Sequence, residues 1–271
     1  MNVSSAASGG SPVASFTQIA GHETAMAQKA QKASASETNA LAHFTAAAST
    51  LASPAALLKD YRSLQVVLAA YGMSGQINAT AVLSKLMTQD PTDPKSLAKT
   101  SGNAAWQTFA SAMSSWKPSP FTAEVVSTIT QGYVLAQYEN QQQDASPGLG
   151  DALYYARNAA AVTSVSQLMS DNRLLNVTLV MHGVSPTQFG ALDYTLQKQM
   201  VGRMVDLSDF RSASTINRNA ERYLCMLQTN PDWAPATPGT SSADPLLSLF
   251  NRSGGTTSPT ALAAAALSLR A

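Results

Sequence analysis

The chain has 271 residues and 28.3 kDa, with only 12% charged residues and 17 Lys and Arg against 16 Asp and Glu, a net charge of +1. That balance excludes a nucleic-acid binder held by phosphate neutralisation. The single cysteine, Cys225, excludes a disulfide framework and a Cys-rich zinc site.

Residues 1–15 are rich in Ser, Ala and Gly, with no basic residue and no apolar core. They read as a flexible extension and not as a cleavable signal peptide. From Phe16 to Leu51 the periodicity is helical and Ala-rich, which predicts one long or once-broken helix. Its face carries little bulk, so it needs a partner helix for stability. Ser53-Pro54 has the form of an N-cap followed by the first helical residue and starts a short helix. Asp60 caps the next, with Leu64, Leu68 and Tyr71 on one face and Gly72 suited to the left-handed position that ends it. Val82, Leu83, Leu86 and Met87 define a helix that stops before Asp90-Pro91, and Asp93-Pro94 repeats the cap pattern. Asn103 caps a helix with Trp106, Phe109, Ala110, Met113 and Trp116 on its face. Thr122 begins a longer one through Val125, Val126, Ile129, Tyr133 and Ala136. The stretch 141–150 is rich in Gln, Asp, Ser, Pro and Gly and reads as the internal boundary. Residues 230–271 carry repeated Pro with Gly and Ser and read as a flexible tail, broken by apolar segments at Leu246 to Phe250 and Leu262 to Leu269. No run is long and apolar enough for a membrane span.

The strongest feature is an internal repeat. Residues 57–73 align without a gap on 168–184, pairing Leu57 with Leu168, Asp60 with Asp171, Arg62 with Arg173, Leu64 with Leu175, Leu68 with Leu179 and Gly72 with Gly183. The register extends upstream to Ser53 with Ser164 and Phe44 with Tyr155. Downstream, two extra residues bring Leu83 and Met87 over Leu196 and Met200. Chance alignment in such a chain would match alanines, whereas this one matches caps, a leucine face and a terminal glycine. The expected fold is all-α: a duplicated multi-helix unit packed as a helical bundle, with flexible N- and C-terminal extensions. The first unit spans 16–144 and a second, incomplete one 151–229.

No catalytic, cofactor-binding or metal-binding residue is assigned. His22, His43 and His182 lack metal-ligand spacing to one another. His182 aligns with Tyr71 and reads as an aromatic-face residue. Cys225 sits among apolar neighbours and reads as a small buried hydrophobe. Trp106 and Trp116 read as core. Asp60 and Asp171 read as caps, and Arg62 and Arg173, pointing away from their own aspartates, as bridges to another element. There is no phosphate-binding glycine loop and no nucleophile elbow.

The pattern Asp60-x-Arg-x-Leu, an apolar helix ending Tyr71-Gly-Met73, the helix at Val82 to Met87 and the segment Asp93-Pro-Lys-Ser-Leu-Ala98 resembles a bacterial family, domain of unknown function 1217. The likeness covers roughly 43–139 well and 153–227 less completely. It implies an all-helical protein, often with more than one copy of the unit, encoded among flagellar genes. It supplies no active site. The resulting expectation is a non-enzymatic, flagellum-associated structural or assembly protein acting through helix–helix contacts with protein partners. It would lie in the cytoplasm or be exported to the flagellum without a cleavable signal. The alternative is a cytoplasmic helical adaptor or export chaperone that binds a partner's amphipathic helix.

Overall fold

The structure, a computed structural model, describes residues 11–235. Among them the chain is all α, with fifteen α-helices, short 3-10 turns and no strand. The first three helices are α1 (Pro12–Ala20), α2 (Glu23–Ala33) and α3 (Ala35–Ala47). The expected single helix from Phe16 to Leu51 is thus three. The chain turns at Gly21-His22, and Ser34 adopts extended backbone and caps α3 by accepting from the Glu37 amide at 3.3 Å. Helix α1 begins inside the expected flexible extension at 1–15, because Ser11 caps it and Pro12 occupies its first turn.

Next come α4 (Pro54–Lys59), α5 (Tyr61–Ala70), α6 (Thr80–Thr88), α7 (Leu97–Thr100), α8 (Ala104–Met113) and α9 (Ala123–Ala145). Ser53, Asp60, Asn103 and Thr122 cap their helices as their sequence positions imply. Two readings change. Asp93 accepts from the Lys95 amide at 2.8 Å in a local turn, and Ser96 is the residue that caps α7. Trp116 lies beyond the end of α8, where its indole donates to the Met87 carbonyl at 3.0 Å.

The remaining helices are α10 (Leu149–Asn158), α11 (Val165–Ser170), α12 (Asn172–Met181), α13 (Pro186–Gly190), α14 (Tyr194–Met204) and α15 (Ala213–Thr229). Helix α9 continues through residues 141–145, so the expected boundary shrinks to a short corner before α10. Residues 11–235 form one compact unit, and the stretches 16–144 and 151–229 share a continuous core. Asn230 is followed by a 3-10 turn, Pro231–Trp233, and Trp233 packs partly buried on the core. The rest of the flexible extensions expected at 1–15 and 230–271, namely 1–10 and 236–271 with both apolar tail segments, lies outside the described residues.

The two aligned stretches build the same local parts. Ser53 and Ser164 cap α4 and α11; Asp60 and Asp171 cap α5 and α12. Both second helices end in a Schellman turn. The Met73 and Val184 amides donate to Leu68 and Leu179 at 2.7 and 2.9 Å, and Gly72 and Gly183 take φ of +69° and +77°. Those angles are strained for any residue with a Cβ. The packing partners also correspond: α3 lies on α5 as α10 lies on α12, α6 on α4 as α14 on α11, and α9 along α5 as α15 along α12. Helix α9 additionally packs on α2 and α10, and α1 packs on α10 and α15. The N-terminal helices thus find the partners that their Ala-rich faces require within the same chain.

Candidate functional site

Helices α9, α10 and α12 meet around a cluster of charges. The close approach of α9 and α10 is permitted by Gly150, where a methyl group would collide with the Glu139 carbonyl. Helix α9 contributes Glu139, whose side chain is fully buried. Helix α10 contributes Asp151, Tyr154 and Arg157, and α12 contributes Arg173, with Asp171 at its cap.

Arg173 is the hub. Its Nε donates to Asp151 Oδ1 at 2.6 Å, Nη1 to Glu139 Oε2 at 2.8 Å and Nη2 to the Gly150 carbonyl at 2.9 Å. Its guanidinium also lies 4.1 Å from the Tyr154 ring centre, a cation–π contact. Arg157 donates through Nε and Nη2 to the other Glu139 oxygen. Tyr154 donates its hydroxyl to Asp171 Oδ2 at 2.7 Å, while Asp171 Oδ1 accepts from the Arg173 and Leu174 amides. Burial alone would loosen the Arg173 proton, but Asp151 and then Glu139 hold it more firmly than in water. Burial, then Asp171, push the Tyr154 hydroxyl well above its usual range. Burial raises Asp151, against the pull of Arg173.

Glu139, Tyr154, Arg157, Asp171 and Arg173 line a cleft of about 210 Å³ whose other wall is the Ala69 to Gly72 end of α5. A second cavity of about 450 Å³ lies across Arg157, bounded by His22, Glu23 and Asn217. Burial, then the Glu139 charge, push the Glu23 carboxyl up to about 7, against Arg157 and Arg173, and its Oε1 is buried without a hydrogen-bond partner.

The arrangement joins helices more readily than it holds a ligand. All three donor-bearing nitrogens of Arg173 are committed to protein oxygens, and both Glu139 oxygens face guanidinium groups. An entering anion would have to displace buried carboxylates from their partners, at the cost of leaving them unpaired.

Sequence reasoning expected Arg173 to bridge to another element, and it does. Its counterpart Arg62 is exposed and forms no ion pair among the described residues. His43 Nε2 lies 2.9 Å from Asp60 Oδ1. Ser63 also bonds Asp60, donating its hydroxyl at 2.7 Å from a fully buried position. The three side-chain types are those of a hydrolase triad, but the carboxylate stands between the other two, so no base acts on the serine. His22 and His182 are exposed, which corrects the reading of His182 as an aromatic-face residue. Cys225 is exposed too: on α15 the inward positions are Tyr223, Leu224 and Leu227, and Cys225 falls between them and faces outward. Among the described residues no group of three or more His, Cys, Asp or Glu could hold a metal ion, and no helix is long and apolar enough to cross a membrane.

Glu23, Glu139, Asp151, Tyr154 and Arg157 were not singled out from sequence. A usable signal was present in α9. Gly132, Ala136 and Glu139 fall on one helical face, so small residues that admit a close neighbour are in phase with a lone carboxylate.

No curated protein matches this chain. Its fold is similar to the crystal structure of protein AGR_C_984 from Agrobacterium tumefaciens, with a TM-score of 0.71 over 81% of this chain and 94% of that one, at 17% identity. The family described as "Protein of unknown function (DUF1217)" matches residues 70–216 in a single span. That span runs from the end of α5 into α15 and contains the Glu139, Asp151, Tyr154, Arg157, Asp171 and Arg173 cluster. With more than half of its length matched, the chain belongs to that family of proteins of unknown function.

Proposed function

We propose that this protein is a non-enzymatic structural or assembly component that works through helix–helix contacts with other proteins, in association with the bacterial flagellum. The supporting observation is the closed charge cluster: Arg173, Arg157, Glu139 and Asp151 bind one another across three helices. Such a cluster fixes the mutual positions of helices and leaves little free for chemistry. The flagellar setting comes from the family resemblance. We also read the chain as a duplication of one helical unit, on the strength of the matched caps, Schellman turns and packing partners.

The test is fractionation of cells carrying the tagged full chain, with intact flagella separated from cytosol and each fraction probed for co-purifying proteins. The protein is expected with flagellar components, and its deletion is expected to change hook or filament composition or assembly. Tagged protein found wholly with cytosolic partners, with flagella unchanged on deletion, would assign it to the adaptor class instead.

A further inference from the structure

Helix α1 and the first turn of α2 form an arm that reaches from the surface to the charge cluster. Helix α1 carries no charged residue, buries Phe16 and Ile19 in the core and packs on α10 and α15. The corner at Gly21-His22 is loosely covered. A methyl group added at Gly21 would meet nothing within 4 Å. The cavity of about 450 Å³ is bounded by Ala20, Gly21 and His22 at the corner and by Ala156, Arg157 and Asn217 on α10 and α15. The rest of α2 is held more firmly. Ala27 is buried, Tyr138 of α9 donates to Met26 Sδ at 3.6 Å, and Gln31 donates to Thr38 of α3 at 2.9 Å.

Glu23 is the first residue of α2 and stands at the root of this arm. Its Oε1 is buried without a hydrogen-bond partner. The nearby donors are already spent. Arg157 gives Nε and Nη2 to Glu139, and Arg173 gives its three nitrogens to Asp151, Glu139 and the Gly150 carbonyl. The carboxylates Glu139, Asp151 and Asp171 already outnumber the guanidiniums of Arg157 and Arg173. The groups that face Glu23 are Glu139 and Tyr138 from α9, Arg157 from α10 and Arg173 from α12, with His22 beside it at the corner. Helix α15 brings only Asn217 to the cavity, and Glu37 of α3 is taken by Gln141 at 2.6 Å. A charge on Glu23 would therefore lie near the fully buried Glu139 with no donor of its own, whereas a neutral carboxyl adds no such repulsion. Burial and the Glu139 charge both favour that neutral form.

We propose that Glu23 is a proton-operated catch: as the neutral acid it keeps the α1–α2 corner closed on α10 and α15, and on ionising it releases the corner, so that α1 lifts and bares Phe16 and Ile19. The cavity at the corner gives the ionised carboxylate its way out to water, and the open space around Gly21 lets the chain bend there. The catch operates whatever the protein's partners are, so it stands or falls apart from the flagellar reading.

The closed arm holds a proton that the open arm releases once the pH exceeds the ordinary glutamate value. Opening is therefore favoured progressively as pH rises from 4.5 to about 7 and changes little above that. The test is hydrogen–deuterium exchange of the full chain at low urea concentrations, corrected for the intrinsic pH dependence of exchange. Between pH 5.5 and pH 8 the protection of the α1 amides is expected to fall about tenfold or more. Their urea dependence should be much smaller than that of α5 and α12, because only the arm opens. Glu23→Gln keeps the shape but cannot ionise, and should hold α1 protection at pH 8 near its value at pH 5.5. Equal wild-type protection at both pH values overturns the proposal, as does a Glu23→Gln protein with the wild-type slope. So does exchange of α1 with the urea dependence of α12, because the arm would then open only with the whole fold. Circular dichroism checks that the variant folds; if it does not, the two wild-type measurements decide alone.

Discussion

Tyr154 donates its hydroxyl to Asp171 across 2.7 Å, and His43 meets Asp60 at 2.9 Å across the same 17-residue separation. In each case a residue on one helix reaches the carboxylate that caps the second helix onward. Each carboxylate therefore serves twice, as a cap and as a tie between helices. Asp60→Ala and Asp171→Ala should each cost more than Ser53→Ala, which removes a cap alone. The expected losses are about 2–3 kcal/mol against about 1 kcal/mol, measured by urea denaturation. Equal losses for all three would mean that the cross-helix bonds add nothing.

Arg173→Ala should be severely destabilising. It leaves Glu139 buried with one of its two arginines and Asp151 buried with none, a change worth about 3–5 kcal/mol. Arg62→Ala, at the aligned but exposed position, should stay within about 0.5 kcal/mol of wild type. Denaturant midpoints for the pair decide the matter, and a small loss at Arg173 would show that the cluster is open to water.

Glu23 supplies a pH dependence. Its carboxyl is raised from 4.5 to about 7 in the folded protein. Between those values the native group holds a proton that the unfolded chain has released, so stability falls as pH rises through this window and levels off above it. Glu139, Arg157 and Arg173 are the charges that act on it. Glu23→Gln should remove this slope and be more stable than wild type above pH 7, by up to about 3 kcal/mol. Thermal melts of both proteins from pH 4 to 8 should diverge as pH rises; a constant offset would place Glu23 in solvent.

Gly150→Ala should destabilise strongly, because the added methyl meets the Glu139 carbonyl and backbone cannot yield as a flexible side chain does. Gly202→Ala, on α14 with nothing within 4 Å of the added atom, should instead stabilise by about 0.5–1 kcal/mol through helix propensity. Melting temperatures that move in opposite directions would confirm both; a neutral Gly150→Ala would mean that α9 and α10 can separate.

The caps and helix ends were legible because they are local. Ser53, Asp60, Asn103, Thr122 and Gly72 act on residues within a few positions of themselves, so their chemistry can be read along the chain. The break at Ser34 was equally local but was masked by an Ala-rich stretch with no apolar stripe to mark where one face stops. The charge cluster was not legible. Glu139 and Arg173 are 34 positions apart, and nothing in either neighbourhood states that three helices will cross there. Arg173 was expected to leave its own helix, yet its partners follow from the packing of α9 on α10. Cys225 failed for another reason: apolar neighbours in sequence do not set phase, and two residues from buried Tyr223 a helix has already turned to solvent.

Helix α9 serves both halves: it packs along α5 and along α10, and it carries Glu139 to Arg157 and Arg173 of the later half. The chain therefore has no safe place to be divided. A cut between residues 145 and 146 would strip the later fragment of the carboxylate that Arg157 and Arg173 share. It would leave the earlier fragment with its longest helix uncovered where α10 packs on it. The expected behaviour of two look-alike halves tied together in this way is one cooperative unfolding transition in place of two.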